Sequence, residues 1–316
     1  PSALGFSLDG GATTSLQSDQ AWRIGDPSLE LEDQAFAMGD SSWELGEVTI
    51  REAGNAAGIV PGRPLLLVLP SELSVVWDES VTTVVLSGTE QGKVSPSVSY
   101  VNDGKGVQLS VTSPFDGGGD LRISGLQVTG FEAMSEGSVG LSLNANGALN
   151  SRSNGLLRVG APSVEVDDRA FVVGDLPTLL GEVRILEGDV PGIVPGRPLL
   201  LVLPSALSMV WDESVTTVDL SGTEQSKVSS SVSYVDDGKG LQLSITSSFD
   251  GGGDLRISGL QVTGFEEMSE GFVGLSLNVD RELNSQSSGL LRVGAPFLEV
   301  EDQAFVVGDL PTALGE

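Results

Sequence analysis

The chain contains no cysteine and no histidine. Without cysteine, disulfides, thiolate nucleophiles and thiolate metal sites are excluded. Without histidine, the commonest general base, the commonest transition-metal ligand and every Ser-His or Cys-His dyad are excluded as well. Basic residues are scarce: 16 Lys and Arg stand against 44 Asp and Glu, a net charge of −28, and the only lysines are Lys93, Lys105, Lys227 and Lys239. Nucleic-acid binding depends on cations that neutralise phosphates, so nucleic acid is not an expected partner. Aromatic residues make up 5%. The longest apolar run, Leu65 to Leu69, is far short of the roughly 20 residues that span a bilayer as a helix, and no membrane insertion is expected. There is no Gly-x-Ser-x-Gly elbow and no Asn-x-Ser/Thr acceptor.

What is present is repetition. The fourteen residues Gly58 to Ser71 recur letter for letter at Gly192 to Ser205, 134 residues later, and Gly58–Gly137 differs from Gly192–Gly271 at ten of eighty positions. Such self-similarity marks a tandem array of one folding unit. Leu4 to Pro27 resembles Val139 to Pro162 and Val273 to Pro296, while Leu29 to Glu47 resembles Val164 to Glu182 and Leu298 to Glu316. The expected organisation is a partial repeat at 1–47, then units at 48–182 and 183–316, the chain opening and closing in mid-repeat.

Within a unit the apolar residues alternate at a period of two, as in Val107/Leu109/Val111, Leu121/Ile123 and Leu141/Leu143. That is the pattern of half-buried strands. Leu65–Leu69 is continuously apolar between Pro64 and Pro70 and reads as a central strand. Asn102-Asp103-Gly104 marks a hairpin, and Gly125 and Gly130 mark bends. Together with 42 glycines and 15 prolines, this predicts eight or nine short strands per unit and at most a helical turn near Glu132–Glu136. The expected fold is all-β: tandem immunoglobulin-like antiparallel β-sandwiches with a period of about 134 residues.

The strand Gly46-Glu47-Val48-Thr49-Ile50-Arg51-Glu52, followed by Pro61-Gly62-Arg63-Pro64-Leu65-Leu66-Leu67-Val68-Leu69-Pro70-Ser71, resembles the strand–turn–"LxLP" opening of β-sandwich repeats in secreted bacterial surface-layer and cell-surface fibre proteins. The resemblance covers about a third of each unit. It implies an extracellular structural role and transfers no catalytic residue.

Several candidate sites follow from the residues. Asp116-Gly117-Gly118-Gly119-Asp120 and its copy Asp250–Asp254 place carboxylates on either side of a glycine turn, where oxygens could hold calcium or cap backbone amides. Asp33, Asp40, Asp168, Asp175, Asp302 and Asp309 form a second acidic set near the unit junctions, where calcium would stiffen an array. Trp77 and Trp211 recur at the end of a strand, as core or as a sugar-stacking platform. Trp22 and Trp43 do not recur, and read as lone surface aromatics or as a contact peculiar to the first unit. Asp78/Glu79 and Asp212/Glu213 are the acidic pairs a glycosidase would need. Ser87–Lys93 lacks the spacing of a phosphate loop and reads as a turn. At the C-terminal end, Leu298, Val300, Phe305 and Val307 are apolar residues in want of a sheet partner, which suggests strand pairing at the unit boundary.

The function expected from these features is non-catalytic: a structural repeat protein of an extracellular filament, stalk or surface layer, associating with itself or with continuing repeats. The alternative is an adhesin or carbohydrate-binding array with a glycan partner.

Overall fold

The computed structural model describes residues 27–52, 54, 58–144, 147–278 and 280–295. Leu298, Val300, Phe305, Val307, Asp302, Asp309 and Trp22 lie outside these residues, so the strand-pairing expectation rests on the sequence alone.

The chain is built almost wholly of strands. In its first half, one antiparallel sheet runs Pro27–Glu30, Val48–Glu52, Asp120–Ser124, Val85–Ser87. A five-stranded sheet runs Ser151–Arg152, Gly140–Ser142, Pro64–Val68, Gly106–Val111, Val94–Val101. The second half repeats the register. Val183–Leu186 pairs with both Ser163–Val166 and Asp254–Ser258, and Pro198–Val202 is flanked by Gly240–Ile245 and Ser269–Ser276. Pro64–Val68 is thus a central strand, as its unbroken apolar run predicts, with Leu65, Leu67 and Leu69 turned into the core.

One pairing in each half departs from the all-antiparallel expectation. Gln34–Ala37 runs parallel to Leu157–Gly160, and Arg169–Val172 runs parallel to Ser285–Gly294. The cause is a crossing of the chain from one sheet to the other at Leu31–Asp33. There Leu31 N–H donates to Asn154 Oδ1 at 3.2 Å, and Asp33 Oδ1 accepts Leu156 N–H at 2.9 Å. The crossing leaves no room opposite it. A Cβ at Gly155 would lie 2.0 Å from the Leu31 carbonyl oxygen, and one at Gly289 would lie 1.7 Å from that of Val166.

The turns follow sequence chemistry. Asn102, Asp103 and Gly104 all take positive φ at the hairpin, as do their copies Asp236, Asp237 and Gly238. No helix forms near Glu132–Glu136; Ser135–Gly137 is a strand, because its backbone is taken up in pairing with Leu157–Val159. The short helical turns are instead 3-10, at Gln91–Lys93 and Gln225–Lys227.

Two hydrophobic clusters form. One gathers Leu29, Phe36, Leu45, Val48 and the strands onward to Val159; the other gathers Val164 to Val293. Residues 27–45 therefore pack with the strands that follow them, whereas the parsing at 47/48 and 182/183 severs them. Sequence similarity gives the period of a repeat but not its phase, which is set by the strands that share a core.

Trp77 and Trp211 are each 1% exposed at the centre of these clusters. Their rings present no face to a ligand, and the sugar-stacking reading of both is corrected: each fills core volume.

Gly155→Ala is expected to destabilise by at least ~1–3 kcal/mol, since backbone must move to admit the methyl. Gly92→Ala, with open space around its Cβ position and Ser226 as its natural counterpart, should lie within about 1 kcal/mol of wild type. Urea denaturation of the two variants measures both.

Candidate functional site: the junction between the two cores

The acidic candidates resolve first. Asp116 meets Lys93 Nζ at 2.8 Å, and Lys93 also meets the buried Glu90 at 2.9 Å. Asp120 accepts Thr89 Oγ1–H at 2.9 Å and Arg122 Nε–H at 3.1 Å. Asp250 and Asp254 repeat this with Lys227 and with Arg256 and Arg184. Where the sequence offers calcium, each aspartate already stands beside a cation of the protein, and no group of three or more acidic residues gathers for a metal among the described residues. In the Ser87–Lys93 segment, Lys93 thus faces two carboxylates.

The acidic pairs beside the tryptophans are turn caps. Asp78 Oδ1 accepts Ser80 N–H at 2.9 Å, and Asp212 Oδ1 accepts Ser214 N–H at 3.0 Å. Burial pushes the Glu187 carboxyl up, but Glu187 lies inside the protein, where its Oε2 accepts the amides of Gly192 at 3.0 Å and Ile193 at 2.7 Å.

The second acidic set leads to an ion pair whose two side chains are both taken out of water. Asp40 and Arg197, 157 residues apart, form an ion pair at 2.5 Å with side chains 0% and 3% exposed. Each end is prepared locally. Asp40 follows Gly39, whose φ of +80 turns the chain sharply, and Asp40 Oδ2 accepts Ala37 N–H at 2.9 Å. Arg197 follows Pro195-Gly196, with Gly196 at φ +87, and donates from Nε to the Leu277 carbonyl at 3.1 Å. Asn284 completes the cluster, donating from Nδ2 to both Met38 O and Asp40 Oδ1 at 2.9 Å. The Trp43 ring covers the guanidinium, 4.7 Å from centroid to Cζ. Such stacking suits arginine, whose flat guanidinium is weakly hydrated.

The contacts cross from the first half of the chain to the second. Ala37 is fully buried and belongs to the second hydrophobic cluster. Ser41 donates to Asp280 at 3.1 Å. Met134 lies over Gly188, where a Cβ would meet its sulfur at 2.8 Å, and Gly192 presses against the Phe36 carbonyl.

Of the sequence candidates, Asp40 is at this junction but meets an arginine in place of calcium. Trp43 is the contact peculiar to the first unit. Asp33 and Asp168 instead bind backbone at the sheet crossings. Arg197 was missed although it stands in the repeated fourteen-residue string; its one signal was being a lone cation in an acidic chain.

Asp40→Asn leaves Arg197 buried without its counter-charge and should cost ~3–5 kcal/mol. Asp175→Asn, at the exposed counterpart, should change stability by less than about 0.5 kcal/mol. Denaturant midpoints separate the two. For pH, Asp33 and Asp120 are held low chiefly by backbone amides of Leu156 and Thr89, and Asp254 chiefly by Arg256. Their folded values lie below the unfolded ones, so the stability they contribute is present above the ordinary aspartate pKa of about 3.9 and is lost as pH falls through the folded values. The urea midpoint should therefore fall on acidification in that window, and less steeply in an Asp120→Asn, Asp254→Asn double variant. Glu187 acts with the opposite sign: the stability tied to its raised pKa is present in acid and is lost as pH rises through its folded value.

No protein-family model matches the chain, and no curated protein sequence does. Solved structures do. The C-terminal domain of the AgI/II polypeptide BspA of Streptococcus agalactiae is 9% identical, with 84% of this chain and 99% of that one covered and a TM-score of 0.36. The serine-rich repeat adhesion glycoprotein Srr1 of the same species is 10% identical (87% and 97% covered, TM-score 0.24). The Enterococcus faecalis MSCRAMM ACE is 12% identical (86% and 95% covered, TM-score 0.25). These three structures are β-sandwich domains of bacterial cell-surface adhesins.

Proposed function

We propose that this chain is a non-catalytic spacer, a run of β-sandwich units locked end to end in an extracellular, cell-surface array. The units run from about residue 27 to 160 and from 163 to 294. The observation that supports this reading is the junction: a charge pair buried between two units, capped by Asn284 and Trp43, fixes one register, because sliding one unit on the other with the contact closed would leave a buried charge unpaired. A spacer needs no cleft. No described helix is long and apolar enough to cross a membrane, and an acidic surface keeps parallel stalks apart.

A second reading, an adhesin or carbohydrate-binding array, is favoured by a groove of about 630 Å³ on the first unit lined by Arg63, Asn102, Gln108 and Asn144. The collagen and adhesion terms in the names of the similar structures accord with it. In this reading the polar rim of that groove, and not Trp77 or Trp211, would meet the ligand.

Small-angle X-ray scattering on wild type and Asp40→Asn tests the spacer. A single rigid distance distribution for wild type, broadened in the variant, is expected; equal breadth in both defeats it. A glycan and collagen binding screen runs beside it, and binding lost in an Asn102→Ala, Gln108→Ala variant would move the function to the adhesin reading.

A further inference from the structure

The junction has two faces, and each unit carries both. The upper face within the chain is Ala37 to Trp43 with Met134; the lower face is Gly192 to Arg197 with Asn278 and Asn284. The second unit's own upper face therefore holds Asp175, and the first unit's own lower face holds Arg63. Both residues are exposed.

Each face is already shaped for the contact. Asp175 Oδ2 accepts Val172 N–H at 2.8 Å, as Asp40 Oδ2 accepts that of Ala37. Gly174 N–H donates to Phe265 O as Gly39 N–H does to Phe131 O. The oxygen left over, Oδ1, is the one that in Asp40 takes the arginine. On the lower face, Asn150 Oδ1 accepts Leu143 N–H at 2.7 Å, as Asn284 Oδ1 accepts Leu277 N–H at 2.6 Å. This holds the Asn150 amide nitrogen in the attitude from which Asn284 reaches across. Gly58 to Arg63 is identical to Gly192 to Arg197.

The upper face also carries apolar surface. Leu176 is 80% exposed and Met268, the counterpart of Met134, is 71% exposed, with Val172 beside them at 40%. Where Ser41 bonds Asp280 inside the chain, the second unit has Leu176; where the lower face has Arg281, the first unit has Gly147. Arg281 pairs with Asp236 of its own unit, and Asp280, the partner of Ser41, corresponds to Asn146, so the Ser41 contact is one that the outer faces do not repeat.

From the spacer reading, on which this rests, we infer that the two open faces bind each other between copies of this chain. Arg63 of one copy enters the Asp175 face of a second copy, as Arg197 enters the Asp40 face within one chain. The contact is head-to-tail: it joins unlike faces and leaves one of each at the ends, so it propagates into filaments unless the rotation closes a ring. With each copy at −28, long-range repulsion opposes approach. Salt screens that repulsion but screens the buried pair much less, so association strengthens as ionic strength rises.

Sedimentation velocity of the full chain across a concentration series, at low salt and at about 0.5 M NaCl, tests this. Wild type is expected to form a non-closing series of oligomers, favoured by salt. Asp175→Asn and Arg63→Gln, each with a wild-type denaturation midpoint, should each weaken association by roughly 100-fold or more. Mixing the two variants leaves one intact face on each, so a 1:1 dimer should form and growth should stop there. A wild type that stays monomeric in every condition overturns the inference, as do oligomers indifferent to both substitutions or a mixture that grows past the dimer. Scattering on the monomeric Arg63→Gln chain, with and without Asp40→Asn, reads the internal junction separately. Failure of association with a rigid internal junction removes this inference and leaves the spacer standing.

Discussion

A carboxylate and a guanidinium sealed from water between two β-sandwiches set the relation of everything on either side of them. Two charges leave bulk water only if their partners are fixed in advance, because the desolvation cost is offset only when geometry and remaining hydrogen bonds are right. Here Asp40 is fixed by its own turn and by the amide of Ala37, and Arg197 by the Leu277 carbonyl. Neither side chain has to search for its position. Removing one partner while the other stays buried is correspondingly costly, since it strands a charge out of water.

The interior of each unit serves that presentation. Glu187 is buried and holds the amides of Gly192 and Ile193, the first residues of the segment that ends in Arg197. Glu52 holds Gly58 and Ile59 in the same way ahead of Arg63. Lys105 donates to the carbonyls of Leu73 and Val75, and Lys239 to those of Leu207 and Met209. These lysines thus tie the loop that follows the central strand to the adjacent hairpin. In so acidic a chain the four lysines are placed where backbone carbonyls or buried carboxylates need them. The surface aspartates, by contrast, are paired in solvent and contribute little individually.

The repeats are alike inside and unlike where they meet. Val75 and Met209 are both fully buried, a swap that the core absorbs, and Val85 and Asp219 are both exposed, which is why that position accepts either residue. The changes of consequence lie on the upper face, where Ala37, Ser41 and Trp43 become Val172, Leu176 and Thr178. Ala304 to Thr312 repeats Ala170 to Thr178 letter for letter, so the Trp43 version is the variant among the three.

The sequence by itself determined the period, the all-β class, the central strand at Leu65–Leu69 and the hairpin at Asn102–Gly104, because strand periodicity and turn chemistry are local properties of neighbouring residues. It also excluded thiol and histidine chemistry by composition. Tertiary structure alone decided which strands share a core, since Leu29 and Phe36 reach theirs across more than a hundred residues. It alone placed Trp77 in the core and Trp43 on a guanidinium, since an isolated tryptophan letter reads the same in either setting. The partnership of Asp40 with Arg197 was likewise invisible. Nothing local distinguishes an aspartate that a distant unit will bury from Asp175, its copy, which stands in water.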